Sequence, residues 1–432
     1  MSKFVIEGGL PLSGRHYSPG NKNAALPMIA ASLLADSPVE ITNVPLIRDV
    51  RVMLELVSEI GAGVSLNEQE RKVVIDPTTA SKTSLSEKLC SRIRTSILFA
   101  GPLLAKAGGV DLPPPGGDVI GRRRLDTHFE GLRNLGATVD HTRVPYRFRT
   151  PAGGLHGTKM ILDEASVTAT ENIVMAAVLA KGRTEIFNAA CEPHVQDLCR
   201  MLCSMGARIS GIGTNLIVID GVESLHGASI RVSPDSIEAA SFIAAAAATH
   251  GSIVIDETVE QDFEILKRPF ARLGVAWTRD ADGVLTFDSS DGELRIASEM
   301  SGAIAKIEDG IWPQTPTDLL SVLIVLATQA DGIVLFFEKM FESRLYFVDN
   351  LINMGAQIVQ CDPHRVVVRG VSRLRGSKLL SPDIRAGMAL LVAGLCAEGV
   401  TTIANAESID RGYEPVEKAL SALGAKIIRL PD

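Results

Sequence analysis

Five cationic side chains, Lys22, Arg94, Arg123, Arg385 and Arg411, stand beside glycine or at the start of an expected element. In a chain of net charge −8, such a set is matched to a strongly anionic substrate, a phosphate or a carboxylate. GNKNAALP puts Lys22 and Asn23 at a helix start, where free N–H groups and the helix dipole favour an anion. The alternative for Lys22 is an ordinary surface lysine. SRIRTS carries Arg92 and Arg94 two apart, so on a helix at most one turns inward, and a solvated face is the plain alternative.

Carboxylates accompany these cations. In PPPGGDVIGRRRLDTH, Asp118 follows a Pro- and Gly-rich turn and precedes Arg122, Arg123 and Arg124. It is either their ion-pair partner or a working group on a loop tip whose arginines hold an anion. WPQTPTDLLSVL ends in Asp318 before an apolar run, as an N-cap or near-cap, or as a carboxylate held at a helix start to accept a proton. SPDIRAG and SIDRGYEP each pair an Asp with an Arg, Asp383 with Arg385 and Asp410 with Arg411.

Other chemistries lack their signatures. There is no GxxxxGK[ST] and no GxGxxG after a strand, which argues against P-loop and nicotinamide enzymes. The acidic balance argues against a nucleic-acid partner. The cysteines at 90, 191, 199, 203, 361 and 396 form no CxxC, and the histidines form no HExxH. Cys199 and Cys203 lie at helical spacing, where buried thiols are the default and metal ligation the alternative. The apolar runs AASFIAAAAATHG and LLSVLIVLATQ are short enough for buried helices rather than membrane spans. MSKFVIEGG has no basic-then-apolar leader, so a cytoplasmic location is expected.

What positions these residues is a repeat. Leu-x-x-apolar-Gly-Ala and its close variants recur with glycines at Gly61, Gly136, Gly206, Gly274, Gly355 and Gly424. Each phrase reads as a helix end, a capping glycine and a strand, generally followed by a second strand. With the strand and helix upstream, the unit is βαβαββ-like and the fold class α/β. The last copy, LSALGAKIIRLPD, stops before its closing strand, and FVIEGGLPLSG matches the missing piece. Both termini therefore fall in one domain of three units, residues 1–21 plus 230–432. Residues 22–229 form an inserted domain of three units that carries the Asp118 loop. Two lobes joined by two crossings are expected to hold the active site in a closable cleft between them.

The motifs GNKNAALP, RTS…GPLLA, PGGDVIGRRRLDTH, EASVTAT, PTDL, FESR, DIRAG and IDRGYE together resemble the enolpyruvyl transferases over essentially the full chain. The match is best to the branch whose acceptor is UDP-N-acetylglucosamine. The resemblance implies a two-domain inside-out barrel and enolpyruvyl transfer from phosphoenolpyruvate to the 3-hydroxyl of UDP-N-acetylglucosamine with phosphate release. That is the first committed step of peptidoglycan synthesis. It implies no metal or redox cofactor, no membrane partner and a monomer or weak homo-oligomer. Lys22, Arg123 and Arg411 would hold the phosphoenolpyruvate phosphate, with Arg94 and Arg385 nearby. Asn23 and Asp318 would bind the sugar, Asp318 beside the attacking hydroxyl. Asp126, Ser166, Val167 and Thr168 would take the uridine end, and Asp383 would order the arginines near it.

Asp118 stands where the family commonly carries Cys, a change associated there with insensitivity to fosfomycin. TPTDLLS replaces FPTDMQ and removes an aromatic ring beside Asp318, and Glu164 stands where a lysine is frequent. The competing readings are a 3-phosphoshikimate 1-carboxyvinyltransferase and a divergent paralogue that only binds a nucleotide sugar.

Overall fold

All six repeat glycines adopt a positive φ, between 81° and 107°, just past the end of a helix. A side chain is strained there, so the glycine lets the chain reverse out of the helix into the following strand. The computed structural model describes residues 2–118, 120–289 and 292–431.

Among these residues the strands form six small sheets, and the chain divides into two compact units. The first unit comprises Met1–Ser18, Val119–Arg122 and Pro234–Asp432; the second comprises Pro19–Asp118 and Arg123–Ser233. The short stretch Val119–Arg122 groups with the first unit through the FESR turn. There the Ser343 N–H donates to the Ile120 carbonyl, and the Arg122 N–H donates to Glu342 Oε2, each at 3.3 Å.

In the first unit, the strand Ser2–Glu7 lies between Val400–Ala404 and Lys426–Pro431, antiparallel to both. The N-terminal strand thus completes the sheet of the last repeat. A second sheet pairs Ser13–Tyr17 in parallel with Ser252–Asp256. The third runs Ala305–Glu308, Gly332–Phe337, Arg365–Gly370, Gln357–Asp362, a parallel pair followed by a hairpin. In the second unit the same order recurs in the sheets built on Val39–Thr42 and Arg183–Phe187. The remaining sheet has three strands, with a parallel bridge from Ser84 to Asp111 at its edge.

The sheets of the first unit cover three helices, Ser236–Ala248, Thr317–Thr328 and Ile384–Cys396, which pack on one another. They are apolar on every side and buried almost throughout, as helices without a polar face must be. Only their N-terminal turns carry charge. In the second unit, Lys22–Ala31 and Val167–Ala177 are similarly buried, and Ala100–Ala107 is buried over Ala100–Leu104. Cys199 is buried with them, and burial pushes its thiol up to about 12, so it packs as an apolar group.

Candidate active site

In the second unit, Asn21 caps the helix Lys22–Ala31, its Oδ1 accepting the N–H groups of Asn23 and Ala24 at 2.8 and 3.2 Å. The cap fixes Lys22 at the first helical position, where its Nζ lies 3.0 Å from Asp49 Oδ2. With its side chain only 12% exposed, Lys22 is not a surface lysine. Arg92 and Arg94 diverge. Arg92 turns outward to Glu55 at 3.4 Å, whereas Arg94 donates through Nη2 to the carbonyls of Arg123 and Arg124 at 2.9 and 3.0 Å. Burial, then the charge of Arg123, lowers the Arg94 guanidinium to about 10, still cationic at neutral pH.

The loop before Asp118 is fixed by backbone contacts. The Gly116 N–H donates to the Cys90 carbonyl at 3.0 Å, and a Cβ on Gly116 would overlap the Ser91 carbonyl oxygen. A Cβ on Gly117, whose φ is +111°, would lie 2.9 Å from Arg94 Cβ and 3.4 Å from Arg123 Nη1. Arg94 and Arg123 therefore line the turn that leads to Asp118. Arg124 faces elsewhere, pairing with Asp126 at 2.8 Å and Asp163 at 3.1 Å in a half-exposed cluster. Thr127 Oγ1 donates to Asp163 at 2.7 Å and reaches Glu164 at 3.3 Å.

His128 ties the helix Asp126–Asn134 to Thr168. Asn172 Oδ1 accepts the Gly101 N–H at 2.6 Å, so Asn172 Nδ2 is the donor to both the Ile97 carbonyl at 2.8 Å and His128 Nδ1 at 3.0 Å. The proton of the neutral imidazole then sits on Nε2, which donates to Thr168 Oγ1 at 3.1 Å. Burial, then the charge of Arg94, holds the His128 pKa down at about 3. The network fixes Thr168 in the first turn of the helix Val167–Ala177.

In the first unit, charge gathers at helix starts. Asp383 caps Ile384–Cys396, its Oδ1 accepting the N–H groups of Arg385 and Ala386 at 2.8 and 3.0 Å. The Arg385 side chain reaches Asp318, the second residue of Thr317–Thr328, with Nε at 2.9 Å and Nη2 at 2.8 Å from Oδ2. Arg344 Nη2 takes the other oxygen, Oδ1, at 3.2 Å. Arg385 also donates to the Tyr413 hydroxyl at 3.0 Å and lies 5.4 Å from that ring's centroid. Burial alone would lower the Arg385 pKa, but Asp318, Tyr413 and Asp235 outweigh it and raise it.

Asp410, adjacent to Arg411 in SIDRGYEP, is held from another element. Asp410 takes Arg429, both its oxygens bridged at 2.8 and 2.6 Å, and Arg429 continues to Glu417 at 3.0 Å. Neighbours on the six-residue 3₁₀ turn Ala406–Arg411 point in different directions, whereas the last strand lies alongside. Asp410 thus anchors the turn that ends in Arg411.

A family model described as EPSP synthase (3-phosphoshikimate 1-carboxyvinyltransferase) matches residues 6–420. The chain belongs to this enolpyruvyl transferase family. Among its relatives, a UDP-N-acetylglucosamine 1-carboxyvinyltransferase of Bradyrhizobium diazoefficiens is 50% identical over 430 residues, covering 100% of this chain and 98% of the relative. One of the same name from Treponema denticola is 48% identical, covering 99% of each. The enolpyruvyl transferase NikO of Streptomyces tendae shares the fold with a TM-score of 0.87 at 24% identity, covering 100% of both chains. EPSP synthase of Acinetobacter baumannii does so with 0.77 at 19%, again over 100% of both.

Among the described residues of this enolpyruvyl transferase, no group of three or more His, Cys, Asp or Glu is arranged to hold a metal ion. Among the described residues, no helix is long and apolar enough to cross a membrane. Sequence reasoning missed Asp49, His128, Asn172, Arg344 and Tyr413. Arg344 and Tyr413 stood inside FESR and IDRGYE, and His128 closed the Asp118 stretch. Asp49 and Asn172 carried no local signal.

Proposed function

We propose that the chain transfers the enolpyruvyl group of phosphoenolpyruvate to the 3-hydroxyl of UDP-N-acetylglucosamine, releasing phosphate in the first committed step of peptidoglycan synthesis. The observation that carries this reading is near-50% identity along the whole chain to relatives named for that activity. The family model alone covers a different acceptor.

In the addition half, C3 of phosphoenolpyruvate takes a proton and the hydroxyl oxygen bonds to C2, giving a tetrahedral ketal. In the elimination half, C3 returns a proton and the bond from C2 to the phosphate oxygen breaks. The hydroxyl proton leaves, in balance, with phosphate. Lys22, Arg123 and Arg411 hold the phosphate, with Arg94 and Arg385 beside it. These cations meet the departing charge without reorganising. Asn23 and Asp318 bind the sugar, and Asp318 meets the proton or charge of the attacking hydroxyl. Its clamping by Arg344 and Arg385 supports an orienting role. Asp383 orders Arg385 through the helix cap. Asp126, Ser166, Val167 and Thr168 take the uridine end. Asp118 does the work of the family's loop thiol, since a carboxylic acid also donates a proton.

The finer reading of the fold is an inside-out barrel of six βαβαββ units, three in residues 22–229 and three in 1–21 plus 230–432. The enzyme works in the cytoplasm as a monomer or weak homo-oligomer. Phosphate release measured with UDP-N-acetylglucosamine, 3-phosphoshikimate or no acceptor tests the activity. Turnover is expected with the nucleotide sugar alone. Sugar binding without turnover would leave a binder, and turnover with 3-phosphoshikimate would shift the assignment.

A further inference from the structure

Asp309 and Glu338 directly follow two neighbouring parallel strands, Ala305–Glu308 and Gly332–Phe337, and neither side chain reaches solvent. Asp309 Oδ1 accepts the Lys339 N–H at 2.6 Å, while its buried Oδ2 has no partner among the described residues. Glu338 Oε1 accepts the N–H groups of Met340 and Phe341 at 2.8 and 2.9 Å. Glu338 Oε2 accepts the Thr317 hydroxyl at 2.9 Å and lies 3.7 Å from Arg344 Nε.

Two adjacent buried carboxylates do not both ionise, because each charge raises the cost of the other. With Oε1 taken by two backbone donors, the proton belongs on Glu338 Oε2. The Glu338 and Asp309 side chains are within hydrogen-bonding reach of each other, so that proton is available to the orphaned Asp309 Oδ2.

We infer that neutral Glu338, bonded through its proton to Asp309, is a positioning residue for Asp318. It holds Thr317, the residue before Asp318, and leaves the charge of Arg344 to Asp318 rather than to a second carboxylate. Burial, then the hydrogen bond and charge of Asp309, push Glu338 up to about 8, with Arg344 pulling the other way. Above that pH an ionised Glu338 competes for Arg344. Of the other titratable groups around it, Lys339 pairs with Glu308 at 3.0 Å, and His364 Nδ1 contacts the Glu338 backbone carbonyl at 2.7 Å rather than its carboxyl group.

The kinetic arm rests on the proposed activity; the spectroscopic arm does not. The Arg344 Nε–H resonance, assigned by its loss in R344K, is followed from pH 6 to pH 9.5. It is expected to shift with a midpoint near 8 in the wild type and to stay in place in E338Q. In phosphate-release assays, kcat falls through the same midpoint in the wild type. E338A lowers kcat at pH 7 at least tenfold, and E338Q recovers most of that loss without the alkaline fall. A stationary Arg344 resonance overturns the inference whether or not turnover is seen. An alkaline fall unchanged in E338Q also overturns it. Wild-type protein without turnover but with the shift would sink the proposed activity and leave the coupling standing.

Discussion

Arg385 and Asp318, 67 residues apart, meet with Nε and Nη2 both on Oδ2, while Arg344 occupies Oδ1. Each carboxylate oxygen thus answers to a different arginine, and the group is held in one orientation at its helix start. Such a clamp serves a reaction whose charge must be met in a fixed direction. Asp318→Ala is expected to lower kcat by about 10²–10⁴-fold, the range for a positioned acid–base group. Sugar affinity should change far less. Phosphate-release kinetics beside calorimetric titration of UDP-N-acetylglucosamine make the comparison, and equal losses would reduce Asp318 to a binding residue.

The turn before position 118 is set by Gly116 against Ser91 and by Gly117 against Arg94, not by the side chain that follows. Asp118→Cys should therefore put a thiol at the end of the turn that Arg94 and Arg123 line, two cations that favour the thiolate. The variant is expected to turn over and to be inactivated by fosfomycin, while the parent chain is not. Intact-protein mass spectrometry with peptide mapping reads the result. A variant without an adduct at position 118 would break the assignment of this loop.

Arg429 joins the last strand to Asp410 and Glu417 and lies 4.6 Å from the Phe4 ring centroid on the first strand. Arg429→Ala removes charge-assisted bonds worth about 1.5–3 kcal/mol each when well buried; at 25% exposure the low end applies. The expected loss is about 1–2 kcal/mol in denaturant unfolding. Because Asp410 anchors the turn that ends in Arg411, the phosphoenolpyruvate KM should rise several-fold, with Arg429→Lys recovering only part. A stability loss with unchanged KM would limit Arg429 to the fold.

Periodic features were legible in the sequence and pairings across the fold were not. The repeat glycines mark helix ends because a positive φ is a local requirement, met within a few residues. The all-apolar helices announce burial for the same reason. The orphan strand at the N-terminus was matched because repeats compare like with like. The contacts of Asp318 and of Asp410 depend on which strands and helices lie side by side, and no spacing encodes them. SIDRGYEP sets Asp410 beside Arg411 in sequence, and nothing in that spacing points to Arg429. Of SRIRTS, the pattern said that at most one arginine turns inward, and packing selected Arg94.

Two of the buried titratable groups, His128 and Glu338, contribute pH dependences of opposite sign. His128 is held at about 3, below its ordinary 6.5, so the unfolded chain binds more protons between those values. Its contribution to stability is fully present above 6.5 and is lost as pH falls towards 3, by up to about 1.4 kcal/mol per unit. Glu338 is held at about 8, above its ordinary 4.5, so the folded chain binds more protons between them. Its contribution is fully present below 4.5 and is lost as pH rises towards 8, with a slope of similar size. Between roughly 4.5 and 6.5 these two contributions oppose each other, while buried Glu171 and Glu238, whose carboxyl groups burial also pushes up, add to the alkaline fall. Exposed carboxylates add to the acid fall, so differences between variants carry the test. Urea unfolding across pH should show Glu338→Gln with a shallower fall above 6.5 than the wild type while keeping the acid limb. His128→Gln should flatten part of the acid limb and keep the alkaline fall. Parallel curves for wild type and both variants would mean that neither group titrates as its surroundings require.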